Sequence, residues 1–207
     1  MDILEEIKKS KLIAVVRLDD YDQASLAFDA LISGGINCIE VAFNMPFAKR
    51  LLREKIAKYG DKFLIGAGTV TDESSAAAAK RAGAKFILTP AVDVSVIEYC
   101  VKEDLLVIPG VMTPTDILTA THAGAKAVKL FPASIFPPRI IADLRGPFDG
   151  LEVLVSAGIT EDNAKDWLKA GAFAIAVSSP LLKGSKENDF LAVKKNAEHF
   201  VRLVSEK

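Results

Sequence analysis

Histidine and cysteine are scarce in this sequence, with two of each in 207 residues. The cysteines, Cys38 and Cys100, lie far apart inside apolar stretches and in no metal-ligand spacing, so two buried, reduced thiols are expected. His122 falls in a helix tail and His199 in a C-terminal helical stretch, positions that suit surface or capping roles better than ligation. Neither sign of charge is in excess. With 26 basic against 27 acidic residues, the net charge is −1, which gives no electrostatic reason to expect nucleic acid or an anionic membrane as partner. No apolar run reaches the roughly 18 residues of a membrane span, and the opening MDILEEIKKS alternates charge and apolarity, unlike a secretory signal. The expectation is a cytoplasmic chain forming one domain over residues 1–207. Hydrophobic residues make up 50% of it and can fill a large core.

What the sequence does have is a repeat. Four segments start alike: GGINCIEVAF from Gly34, AGAKFILTP from Ala82, AGAKAVKLFP from Ala123 and AGAFAIAVSS from Ala170. In each, a helix-like stretch precedes Gly35, Gly83, Gly124 or Gly171 and a β-rich run follows, the pattern of a helix C-cap feeding a strand. Four more apolar runs lie between them: LIAVVR from Leu12, FLIGAGT from Phe63, LLVIPGV from Leu105 and LEVLVSAG from Leu151. Together they give one strand per roughly 20–25 residues, the length of one βα unit. Helix starts are expected at Thr71-Asp72-Glu73, at Thr113-Pro114-Thr115-Asp116 and at Thr160-Glu161-Asp162. In each a capping threonine is followed by acids, and Pro114 suits a first helical position. Eight apolar strands alternating with helices predict a parallel sheet covered by helices, closed as a (β/α)8 TIM barrel with a short N-terminal helix. The alternative is an open doubly wound sheet. It would more usually carry a glycine-rich turn after its first strand, where this chain has Arg17-Leu18-Asp19.

The repeat also serves as a ruler. Five residues beyond each repeat glycine stand Glu40, Leu88, Lys129 and Ala176. Side chains alternate between the faces of a strand, and the other parity is held by branched apolar residues: Ile39 and Val41, Val128 and Leu130, Ile175 and Val177. Glu40 and Lys129 should therefore point inward. They lie on the second and sixth strands, opposite one another in a ring of eight, and alternate strands share an interior layer. A structural ion pair is the simpler explanation, yet apolar residues would fill a barrel core without the desolvation penalty of two charges. Chemically, a partly neutral lysine can attack a ketone to form an imine that acts as an electron sink, and a carboxyl beside it can move the protons.

The blocks IEVAF (Ile39–Phe43), GAGTV (Gly66–Val70), FILTP (Phe86–Pro90), IPGVMTPT (Ile108–Thr115), VKLFPA (Val128–Ala133) and GPF (Gly146–Phe148) in this order resemble the 2-keto-3-deoxy-6-phosphogluconate (KDPG) / 4-hydroxy-2-oxoglutarate (KHG) aldolase family almost end to end. The resemblance implies a cofactor-independent, metal-free homotrimer that cleaves a small 2-keto-4-hydroxy acid to pyruvate and an aldehyde. It puts Lys129 at the imine position and Glu40 at the proton-transfer position. It also implies substrate contacts for Thr69, Pro90 and Phe131, and for Arg17 at the site mouth. Three positions depart from the family pattern. Asn44 stands where many members have a carboxylate-gripping arginine, a task Arg17 could take over. The phosphate cradle after the seventh strand reads Ser156-Ala157-Gly158 in place of a Gly-Gly pair, and after the eighth Ser178-Ser179 replaces Gly-Ser. Backbone amides at that corner could still hold an anion, but a methyl at Ala157 crowds the approach. Competing functions are another phosphate-binding barrel enzyme, of epimerase or synthase type, and a non-catalytic sugar-acid-binding barrel.

Overall fold

The computed structural model describes residues 2–206, along which strands and helices alternate. The strands are β1 (Leu12–Val16), β2 (Cys38–Ala42), β3 (Leu64–Gly68), β4 (Phe86–Leu88), β5 (Leu106–Ile108), β6 (Gly110–Val111), β7 (Val128–Leu130), β8 (Val153–Ser156) and β9 (Ala174–Val177). They pair in parallel in the order β5-β4-β3-β2-β1-β9-β8-β7-β6. The two ends of that ladder are separated by Pro109 alone, so the sheet comes round on itself as a (β/α)8 barrel with its helices outside. The fifth strand, expected as one piece, is thus split into β5 and β6. Proline has no N–H to donate, and the next amide, Gly110, donates to Thr89 Oγ1 at 3.2 Å instead of to a backbone carbonyl.

The repeat glycines do what their positions require. Gly35, Gly83, Gly124 and Gly171 all have positive φ, between 91° and 105°, and each stands just past a helix: α2 (Tyr21–Ser33), α4 (Glu73–Arg81), α6 (Pro114–His122) and α8 (Ala164–Lys169). The helix starts are less uniform. Thr113 caps α6 in a reciprocal capping box with Asp116, and Pro114 occupies the first turn. Thr71, however, does not cap α4. That role belongs to Asp72, whose carboxylate accepts from the Ser75 amide and hydroxyl. Nor does Thr160 cap α8, because its own amide donates to Asn163 Oδ1 at 2.9 Å and the helix begins only after Asn163.

Parity then sorts the core into two bodies. Outward residues such as Ile39, Val41, Val128, Leu130, Ile175 and Val177 join the helices in the larger cluster. Inward residues Ile13, Cys38, Phe86, Leu88, Ile108 and Leu154 form the second cluster, sealed at the N-terminal end by Leu4 and Ile7 of α1 (Ile3–Ser10). Toward the C-terminal end inward positions become small: Ala176 on β9, Gly68 on β3, Gly110 on β6. The barrel is packed at its base and hollow at its top. Cys38 and Cys100 are both buried and free. Among the described residues, no helix is long and apolar enough to cross a membrane.

Candidate active site

Glu40 is the central residue of β2, paired with Val15 of β1 and Gly66 of β3. Lys129 is the central residue of β7, paired with Gly110 and with Leu154 of β8. Their strand neighbours face the helices, so both project inward, and both are buried, at 4% and 6% exposure. They line one cavity of about 620 Å³ at the C-terminal end of the barrel. They do not form the direct ion pair that a purely structural role would favour. The ion pairs among the described residues lie elsewhere, as in Lys55–Asp29 and Lys8–Glu152, and neither Glu40 nor Lys129 joins one.

Each nonetheless feels the other. Burial pushes the Glu40 carboxyl above the usual carboxylate range, against the opposing pull of Lys129 and Arg17. Burial likewise holds the Lys129 amine below the usual lysine range; Glu40 opposes that shift and Arg17 reinforces it. The two values move toward each other, which favours a protonated carboxyl and a neutral amine. Lys129 Nζ also lies 5.0 Å from the centroid of the Phe131 ring. A residue of this kind, a strongly desolvated amine with a partner acid in a cleft, is a candidate for chemistry.

The cavity gathers every residue singled out from the sequence. Arg17 follows β1 on the inward parity and is exposed at the mouth, where its Nη2 donates to Thr69 Oγ1 at 3.0 Å. Thr69 has a φ of 54°. For a β-branched residue that is a strained backbone, of a kind that costs about 1–3 kcal/mol and clusters at functional sites. Asn44 is exposed on the loop after β2, and Pro90 and Phe131 are half-buried after β4 and β7.

At the far corner Ser156, Ala157 and Gly158 turn sharply. Ala157 and Gly158 have φ of 71° and 79° in succession, and a Cβ at Gly158 would lie 2.5 Å from the Cβ of Ser134. Glycine is therefore needed at 158, whereas Ala157 holds a left-handed conformation that disfavours a side chain by roughly 1–2 kcal/mol. Ser178 and Ser179 face this turn, but the Ser178 hydroxyl is already committed, donating to Val15 O at 2.9 Å. Val15, Ile159, Thr160, Ala176, Val177 and Pro180 complete the lining without having been singled out as candidates. For Val15 and Ala176 the inward parity was the available signal.

Two other cavities, of about 500 and 760 Å³, open beside α1 and share Lys85. They hold no buried acid facing a buried amine. Among the described residues no cluster of three or more His, Cys, Asp or Glu side chains has the placement of a metal site. His122 ends α6, and His199 Nε2 meets Glu161 Oε2 at 3.1 Å on the surface.

Comparison with known proteins identifies the family of the chain. The family described as KDPG and KHG aldolase matches residues 3–196. The chain is 34% identical over 200 residues to the 2-dehydro-3-deoxy-6-phosphogalactonate aldolase of Escherichia coli (strain K12), covering 96% of each. It is 32% identical over 167 residues to the 2-dehydro-3-deoxy-phosphogluconate aldolase of Haemophilus influenzae, covering 80% of this chain and 78% of that one. Among solved structures, a native KDPGal structure superposes with a TM-score of 0.87 at 32% identity, covering 94% of both chains.

The direction of the Glu40 shift has a measurable consequence. The folded protein holds this proton more tightly than the unfolded chain does. Stability attached to it is therefore present below the unfolded value of about 4.3 and is lost as pH rises through the higher folded value. Glu40→Gln removes the ionisation and keeps the shape. In urea titrations the variant should equal the native protein at pH 4 and exceed it at pH 7. A variant that is less stable at pH 7 would mean the carboxylate is held there for stability.

Proposed function

Because the chain belongs to the KDPG and KHG aldolase family, we propose that it is a class I aldolase in which Lys129 forms an imine with the substrate ketone and Glu40 carries the protons. The observation that bears most weight is the pair itself: an amine that burial tends to deprotonate and a carboxyl that burial tends to protonate, lining one cavity without contact.

The steps follow from those two states. The neutral Lys129 Nζ attacks C2 of a 2-keto-4-hydroxy acid, and Glu40 gives its proton to the departing hydroxyl as water leaves and the cationic imine forms. Glu40, now a carboxylate, takes the proton of the C4 hydroxyl. The C3–C4 bond breaks, its electron pair enters the enamine, and C4 leaves as an aldehyde. Glu40 returns the proton to C3. Water then adds to the cationic imine while Glu40 takes up the proton this releases, and the carbinolamine collapses to pyruvate and the neutral amine, with Glu40 protonated as at the start. A proton carrier of matched pKa at this position accelerates such steps by about 10²–10⁴-fold.

The substrate carboxylate is assigned to Arg17, since Asn44 has no charge to offer. Arg17 already reaches over the cavity to Thr69, and a guanidinium can hold a carboxylate with two parallel hydrogen bonds. Pro90 and Phe131 wall the pyruvate end, and the turn Ser156-Ala157-Gly158 with Ser178-Ser179 receives the aldehyde end. The same reading includes a homotrimeric assembly acting in the cytoplasm.

Trapping tests the mechanism. Incubation with pyruvate and borohydride should add one reduced pyruvate per chain, located on Lys129 by mass spectrometry, and Lys129→Ala should lose both adduct and turnover. An adduct on another lysine, or none, contradicts the imine assignment. Kinetics test the far corner. With the Ala157 methyl at the turn and the Ser178 hydroxyl committed to Val15 O, terminal-phosphate binding should be weakened to roughly one charge-assisted contact, about 1.5–3 kcal/mol. The kcat/KM ratio of phosphorylated to unphosphorylated keto acid should thus stay below about 100 and rise in Ala157→Gly. A native preference of several decades would show that the altered cradle binds phosphate fully.

A further inference from the structure

We propose that Gly68 positions Glu40: the absence of a side chain there gives the Glu40 carboxyl a berth on the barrel wall, across the cavity from Lys129 and out of contact with it. The inference rests on the imine reading of the site and adds a residue that acts through Glu40.

The berth follows from register and space. In the β2–β3 ladder Glu40 pairs with Gly66 and Ala42 with Gly68, so β3 presents glycine at two successive inward positions. A side chain leaning from Glu40 toward the cavity mouth passes directly over Gly68. A Cβ built at Gly68 would overlap Glu40 Oε1 and Cδ and lie 2.5 Å from its Cγ, inside the 3.0 Å that real Cβ atoms keep. Gly66 shows the same device, for a Cβ there would lie 2.5 Å from the Phe86 ring. Neither glycine has positive φ, so the backbone would accept another residue at both. What they supply is volume. Phe86 from β4 uses one such space and the Glu40 carboxyl from β2 uses the other.

The identity of the occupant makes this a functional matter. At Gly68 the displaced group would be the far end of a flexible side chain and not backbone, so the fold can absorb an alanine. The displaced carboxyl would have the cavity to enter, and Lys129 lines that cavity. Moving the carboxylate next to the amine creates the ion pair that the native arrangement lacks, and an adjacent carboxylate keeps a lysine protonated. Few other charges confuse the effect. Arg17, Glu40 and Lys129 are the ionisable residues lining the cavity, β4, β8 and β9 contribute none to it, and Cys38 lies beneath Glu40 on the same strand.

Gly68→Ala provides the test, read by the pH midpoint of Lys129 reductive methylation with formaldehyde and cyanoborohydride, followed by mass spectrometry. The midpoint should rise by about one unit or more, which lowers the neutral amine roughly tenfold at a given pH, and pyruvate trapping at neutral pH should slow by at least as much. In a Glu40→Gln background, where the displaced side chain carries no charge, Gly68→Ala should no longer raise the midpoint above that of Glu40→Gln alone. A Gly68→Ala protein with native midpoint and turnover overturns the proposal. If Gly68→Ala does not fold, Gly68→Ala with Glu40→Ala decides: folding restored by removing the occupant supports the berth, and failure in both overturns it. Should native protein take no pyruvate on Lys129, the imine reading fails, while the methylation midpoints still report whether Gly68 sets the distance between the two groups.

Discussion

Two ionisable groups of opposite charge, withdrawn from water into one cavity and held apart, set the terms for the upper half of this barrel. Desolvation works against the charged form of each, and their mutual attraction only partly offsets it. Contact between them would relieve the tension and fix both as ions. Separation leaves burial free to favour a protonated carboxyl and a neutral amine. Those are the forms a proton carrier and a nucleophile need.

The rest of the architecture supports that separation. The base of the barrel is filled by Ile13, Phe86, Ile108 and Leu154 and closed by Ile7 of α1, so the strands carrying Glu40 and Lys129 are held by dense packing below the site. Above, alanine and glycine replace the bulky inward residues and leave room for a small substrate. Around the mouth the backbone departs from its easy conformations at Thr69 and Ala157, one beside Arg17 and the other at the far corner. Strain of this kind persists only where the surrounding structure enforces it. Here it lies at the two ends of the space that the proposed substrate would occupy.

Much of this was legible in the sequence because the repeat has a physical cause. A glycine at the same point of four βα units marks the same left-handed turn, and counting from it gives strand parity, hence which face Glu40 and Lys129 adopt. Features set by partners elsewhere in the chain were not legible. The break at Pro109 depends on where the Gly110 amide finds Thr89. Thr160 reads as a helix cap until Asn163 takes its amide. Gly68 sits inside a recognisable GAGTV block, but its reason for being glycine lies on a neighbouring strand, in the Glu40 side chain that covers it. The Ser178 hydroxyl looks free for a ligand in one dimension and is bound to Val15 O in three.

The central claim is that the Lys129 amine forms an imine and the Glu40 carboxyl passes a proton to and from the carbon next to it. Pyruvate alone suffices to examine it, with no knowledge of the aldehyde half. In deuterium oxide an imine at Lys129 makes the methyl group of pyruvate acidic, and its protons should exchange at a rate measurable by proton NMR. Exchange should vanish in Lys129→Ala and fall by about 10²–10⁴-fold in Glu40→Gln. Exchange that persists at the native rate in either variant would contradict the assignment of that residue.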